Sequence, residues 1–172
     1  MVIWITGITA SGKTTLGKNL FNDLQKLGYK KIIHLDGDNL RKRKDWVSGH
    51  SIEKRKTILK KIVEVCNEEL KTNLIVIVST VSHMISMRRF ARNKLPLFFE
   101  VFLDIEPRIC AKRDFKGLYK KAEKDRNIVF PGVTEEYEEY EEYDLKLKTG
   151  IDEIKICSTK LLKFVKQKLE TI

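Results

Sequence analysis

An α/β fold, a five-stranded and mainly parallel sheet flanked by helices, is the fold class the sequence predicts. Two observations carry this. Short apolar runs recur along the chain with helix-period segments between them, the alternation that builds parallel sheets through right-handed crossovers. The polar motifs fall just after the ends of those runs, where ligands bind in open α/β sheets.

The elements follow in order. "VIWIT" (2–6) reads as a buried strand. In 12–28 the apolar residues Leu16, Leu20, Phe21, Leu24 and Leu27 recur at helix spacing, and Gly28 suits a C-terminal stop. "KIIHLD" (31–36) is a second strand, and 52–71 is a helix on Ile58, Ile62, Val65, Cys66 and Leu70. "LIVIVST" (74–80) is a third strand, with the β-branched run of a sheet interior. A helix over "SMRRFARNKL" leads to a fourth strand, "LFFEVFLDI" (97–105). "PRICAKRD" opens another helix, a short fifth strand lies among "DLKLKT" and "IDEIKIC", and 158–169 is a closing amphipathic helix.

The chain has 172 residues, which fits one domain over 1–172. With 42% hydrophobic and 34% charged residues, its composition is that of a soluble globular protein. No apolar run is long enough to span a bilayer, and the N-terminal run is too short for a signal peptide, so a cytoplasmic protein without a membrane partner is expected. Cys66, Cys110 and Cys157 are widely spaced and lack a CxxC pair, which reads as buried, reduced thiols. The net charge of +10 draws polyanions, nucleotides among them. It is unevenly spread: 41–61 is basic, whereas "TEEYEEYEEYD" (134–144) is acidic. That layout suits a specific site better than a nucleic-acid coat, and no nucleic-acid partner is expected.

The sharpest motif is Gly7-Ile8-Thr9-Ala10-Ser11-Gly12-Lys13-Thr14, the pattern G-x-x-x-x-G-K-[ST] between a strand and a helix. Backbone N–H groups there face phosphates, Lys13 supplies a cation, and Thr14 offers its hydroxyl to Mg²⁺. Gly7, Ala10, Ser11, Gly12, Lys13, Thr14 and Thr15 are therefore candidate ATP-binding residues. Ala10 stands where such loops often need positive φ, so it either has ordinary dihedrals or reshapes the loop. The loop by itself does not separate kinases from motor ATPases or GTPases; the chain is small for most motor architectures and lacks an obvious NKxD-type guanine reader, so a small-molecule kinase of P-loop fold is the natural class.

"LDGDNLR" (35–41) sets Asp36 and Asp38 on a tight turn at the second strand end. One carboxylate can organise a metal while the other accepts the proton of an attacking hydroxyl; an Asx turn capping the next helix is the structural alternative. Asp36, Asp38 and Lys13 form the candidate catalytic set, with Thr14 and Asp38 as candidate metal ligands. "KRDFKGLYKKAEK" (112–124) is basic with a Gly-Leu-Tyr break, the composition of a lid that neutralises a transferring phosphoryl group. The candidate lid runs from about 112 to 132.

These motifs, with "PGVTEEYEEYEEYDLKLKT", resemble the adenylylsulfate (APS) kinases in order and spacing over nearly the whole chain. The resemblance implies transfer of the γ-phosphate of ATP to a ribose 3′-hydroxyl of a small nucleotide, with Mg²⁺ and a homodimer. It implies that Arg41 and Arg55 hold the acceptor's anhydride. Lys116, Gly117 and Leu118 would line the acceptor site, and Arg113 would belong to the ATP lid. Departures gather on the acceptor side: His50 follows Gly49 where the family has phenylalanine, Ile58 stands for an asparagine, and Lys60-Lys61 for an arginine pair. Val81-Ser82-His83 replaces Ile-Ser-Pro, Ile85 an arginine, and Tyr140 and Tyr143 prolines. His50, Ser82 and His83 are thus further candidate acceptor residues, and Tyr137, Tyr140 and Tyr143 either stack on the base or pack their loop. The altered wall leads to the expectation of a different acceptor, cytidine diphosphoramidate in capsule biosynthesis, with an APS kinase making 3′-phosphoadenylyl sulfate as the alternative.

Overall fold

The structure, a computed structural model, describes residues 1–43, 46, 51–114, 117–125 and 129–171. Five parallel strands lie in the order β2-β3-β1-β4-β5: β1 Val2–Thr6, β2 Ile32–Asp36, β3 Ile75–Ser79, β4 Phe98–Leu103 and β5 Leu145–Leu147. Central β1 pairs Ile3 with Ile77 on one side and with Phe99 on the other. Its five residues are all buried, so both of its faces are covered by helices.

The period of two along β1 divides the core. Ile3 and Ile5 face α1 (Lys13–Lys26) and α7 (Ile154–Glu170), where they meet Leu16, Leu20, Leu24, Leu161 and Val165. Val2 and Trp4 face α3 (Ile52–Glu69) and α4 (Ile85–Lys94), against Ile58, Ile62, Cys66, Met87 and Ala91. The helix α1 reaches the sheet closely because Gly17 has no side chain: a Cβ there would lie 2.4 Å from His34 Nε2 and 2.7 Å from Ser79 Oγ. Its end matches the expected stop, with Gly28 at φ 92°.

A third cluster stands above the strand ends. Cys110 of α5 (Pro107–Lys112) packs there with Tyr119 and Ala122 of α6 (Leu118–Lys124), with Phe130, and with Ile8 of the phosphate loop. The three cysteines are unpaired and buried, and burial pushes the Cys66 thiol up to about 12. Among the described residues no helix is long and apolar enough to cross a membrane.

Candidate active site

The loop after β1 turns through three left-handed residues: Gly7 at φ 145°, Ala10 at 63° and Gly12 at 102°. A Cβ on Gly7 would press to 3.0 Å from the Leu103 carbonyl oxygen, so glycine is needed for close approach. Ala10 does take the left-handed conformation, which costs an L-residue about 1–2 kcal/mol. Helix α1 then begins with no side-chain cap and no acidic residue in its first turn. Its first N–H groups are left for an anion, and the helix dipole favours one. Lys13 Nζ folds back over the loop, donating to the carbonyls of Gly7 (3.0 Å) and Ile8 (2.6 Å) and to Ser11 Oγ (3.3 Å). Ser11 is buried, whereas Thr14 and Thr15 are exposed on the first turn of α1.

Asp36 ends β2 and caps the four-residue helix α2 (Gly37–Leu40): its Oδ1 accepts the N–H groups of Asp38 (3.0 Å) and Asn39 (3.1 Å). Its Oδ2 accepts the Thr14 hydroxyl at 2.5 Å. The carboxylate joined to Thr14 is therefore Asp36, not Asp38. Asp38 is exposed and faces Arg41 and Arg55, whose guanidinium groups feel its charge. The Thr14 and Asp36 oxygens are hard donors of the kind Mg²⁺ takes, and that ion keeps waters and substrate phosphates as its other ligands. Among the described residues no group of three or more His, Cys, Asp or Glu side chains could hold a metal on its own. The donor set fits Mg²⁺ arriving with a nucleotide.

Beside Asp38, near Arg41 and Arg55, lies a narrow cleft. Arg41, Arg55, Thr80, Ser82 and His83 supply its polar wall, and Ile58, Leu59, Ile62 and Met87 its apolar floor. Burial and the neighbouring Arg41 bring the Arg55 guanidinium down to about 10, partly offset by Asp38 and Glu135. Arg41 and Arg55 feel each other's charge, so an anion placed beside both would be favoured. Ser82 is buried at φ 39°, and its Oγ has no hydrogen-bond partner among the described residues. Burial, then Arg55, lowers the His83 imidazole to about 4, so it is neutral near pH 7. His34 lies outside the cleft, bonded to Ser79 Oγ at 2.9 Å, as a packing residue.

The described residues of the candidate lid touch both the phosphate loop and the cleft. Asp114 caps α6 by accepting the N–H groups of Leu118 (2.9 Å) and Tyr119 (2.8 Å), with Gly117 left-handed at φ 64°. Tyr119 donates its hydroxyl to the Thr9 carbonyl of the phosphate loop at 2.8 Å. Arg55 Nη2 donates to the Val129 carbonyl at 2.7 Å, so a residue of the cleft also holds the segment before Phe130. Arg113 reaches the loop after β5 and donates to the Thr149 carbonyl at 3.1 Å. Sequence reasoning missed Thr149, whose buried hydroxyl has no hydrogen-bond partner among the described residues; its signal was a Thr-Gly pair after the fifth strand. His50 and Lys116 lie outside the described residues.

The three tyrosines pack. Tyr137 shares a 2.8 Å hydrogen bond with Thr6 Oγ1 and stacks on Phe102, Tyr140 donates its hydroxyl to Glu100, and Tyr143 lies 5.9 Å from Phe102. Ile58 is 1% exposed in the floor of the cleft.

The adenylylsulphate kinase family profile matches residues 1–148. A probable adenylyl-sulfate kinase of Bacillus subtilis is 36% identical over 170 residues, covering 98% of this chain and 86% of that protein. The adenylyl-sulfate kinase of Thermodesulfovibrio yellowstonii is 37% identical over 98% of this chain and 85% of its own. Among solved structures, the Mycobacterium tuberculosis APS kinase in complex with AMPPNP and APS superposes with a TM-score of 0.85 at 28% identity, over 96% of each chain. A gluconokinase of Sinorhizobium meliloti, at 20% identity and a TM-score of 0.64, shares the fold alone.

These likenesses overturn the expectation of cytidine diphosphoramidate as acceptor, and capsule biosynthesis falls with it. Much of the altered wall is packing: Ile58 fills the floor, and Tyr140 and Tyr143 are engaged with Glu100 and Phe102.

Proposed function

Because the chain belongs to the adenylylsulphate kinase family and is an ATP-dependent phosphotransferase, we propose that it moves the γ-phosphate of ATP onto the 3′-hydroxyl of adenylyl sulfate, yielding ADP and 3′-phosphoadenylyl sulfate. The observation that carries this reading is the position of Asp38. It lies two residues from the Thr14–Asp36 pair and faces the two arginines of the cleft. A hydroxyl held there would stand between donor phosphate and proton acceptor.

The phosphate loop and the start of α1 bind the β- and γ-phosphates, with Lys13 moving from the loop carbonyls onto their oxygens. Arg113 and Thr149 close the donor side at the end of β5. Mg²⁺, when bound, would supply positive charge against the phosphates; Thr14 would hold it, with Asp36 fixing the Thr14 hydroxyl. Arg41 and Arg55 grip the anhydride of the acceptor, Ser82 donates its unpartnered hydroxyl, and neutral His83 adds an uncharged polar edge. His50, Lys116, Gly117 and Leu118 complete the acceptor side in this reading. The 3′-oxygen attacks the γ-phosphorus, the bond to the β-phosphate oxygen breaks with its electron pair leaving on ADP, and the 3′-proton passes to Asp38. Asp36 is already occupied by three hydrogen bonds and stays fixed. A homodimer follows from the family resemblance; sedimentation should return twice the 20.1 kDa chain.

The test is ADP release from Mg-ATP with and without adenylyl sulfate. Saturable, acceptor-dependent turnover is expected, with none from the 3′-deoxy analogue. Equal turnover of that analogue would remove the 3′-hydroxyl from the reaction.

A further inference from the structure

The acidic, tyrosine-bearing segment over 136–144 has no part in the chemistry above, yet it is tied to the acceptor cleft. The turn after β3 forms one wall of that cleft. Its three successive carbonyls are each held by a different element. Val81 accepts from Thr6 Oγ1 of β1 at 2.7 Å, Ser82 from Arg88 Nη1 of α4 at 2.8 Å, and His83 from the N–H of Glu138 at 2.9 Å. Ser82 is left-handed at φ 39°, a conformation a serine keeps only where its surroundings enforce it.

Arg88 is the centre of this arrangement. It is 1% exposed, as is its ion-pair partner Glu100 of β4, at 3.2 Å. The other arm of its guanidinium donates to the Glu138 carbonyl, and the Glu138 carboxylate accepts the N–H of Ile85 at 2.6 Å. Glu100 also accepts the Tyr140 hydroxyl, and the Arg88 guanidinium lies 4.5 Å from the Tyr140 ring. Asp144 ties down the end of the segment by accepting the Glu100 N–H at 2.8 Å and Arg92 Nη2 at 2.9 Å.

We propose that Arg88 is a positioning residue for the acceptor: braced by Glu100 and by the 136–144 strap, it holds the Ser82 carbonyl so that Ser82 Oγ and the His83 ring face the cleft. The inference rests on the reading of that cleft as the acceptor site. A planar guanidinium can serve Glu100, Ser82 and Glu138 together; an ammonium group at the same place cannot hold all three in fixed geometry. The buried charge is thereby assigned a task beyond stability.

Arg88→Lys keeps the charge beside Glu100 and loses the fork. With melting unchanged, the KM for adenylyl sulfate should rise at least ten-fold while the KM for ATP stays within two-fold. A folded variant with an unchanged acceptor KM, or with both KM values rising together, overturns the proposal. If the lysine variant does not fold, Tyr140→Phe, which loses only the hydroxyl on Glu100, decides: about a three-fold rise in acceptor KM supports the strap, and no change overturns it. Wild-type protein that fails to turn over adenylyl sulfate defeats the assigned reaction instead. Amide exchange of residues 81–85 without ligand then tests the strap alone. It should be at least ten-fold faster in Arg88→Lys with α1 unaffected, and equal exchange overturns the proposal.

Discussion

Asp36 and Asp38 are separated by one glycine and by a clear difference in surroundings. Asp36 is buried and bonded to Thr14 and two amides; Asp38 is exposed toward Arg41 and Arg55. Asp38→Asn should lower kcat about 10²–10⁴-fold, the range for loss of a general base, with ATP binding intact. Single-turnover kinetics beside nucleotide titration reads both; full turnover would move the base elsewhere. His83 adds a pH signature. Its folded value of about 4 lies below the ordinary 6.5, so the folded state binds fewer protons between the two. Stability from this group is full above pH 6.5 and is lost as pH falls toward 4, by about 3 kcal/mol at most. His83→Asn should flatten the drop in melting temperature between pH 7 and pH 5; an unchanged slope would show that His83 does not titrate as described. At Ala10, relief of left-handed strain outweighs the extra entropy of glycine, so Ala10→Gly should stabilise by about 0.5–1 kcal/mol in urea unfolding.

The helix α1 carries the phosphate loop and docks on β2 and β3 through Gly17. Gly17→Ala should cost about 1–3 kcal/mol, because its methyl would displace the His34–Ser79 pair, even though alanine is the better helix former. Thermal unfolding checks the sign. Helix α6 is tied to the phosphate loop by the Tyr119 hydroxyl, so Tyr119→Phe should speed amide exchange over 118–124 about five-fold, for a loss of about 1 kcal/mol. The main elements were legible because apolar runs and helix periods agree with burial, as in β1 and α1. Others misled for physical reasons. Helix α7 starts at Ile154, earlier than its amphipathic stretch, because Ile154 and Ile156 are exposed and their alternation imitates a strand. Tyr137, Tyr140 and Tyr143, open in sequence to stacking on the base, instead pack on Thr6, Glu100 and Phe102.

Across the whole molecule, the candidate groups collect beyond the carboxyl ends of the parallel strands, where the sequence carries its phosphate loop and its Asp-Gly-Asp turn. The phosphate loop, Asp36, Asp38, Arg41 and Arg55 could be read that way. Which carboxylate meets Thr14 could not, since it depends on the approach of α1 to β2. The Arg88–Glu100 pair left one trace, a glutamate inside the apolar run "LFFEVFLDI", where a buried charge demands a partner. The acceptor was misjudged because substitutions that repack the wall look, in sequence, like substitutions that respecify it. The most direct measurement is phosphorus NMR of the product made by the wild-type protein from Mg-ATP and adenylyl sulfate. One new phosphate monoester coupled to the ribose H3′, formed with one equivalent of ADP, is the predicted result. ADP release without that ester, or an ester at another position, would contradict the account.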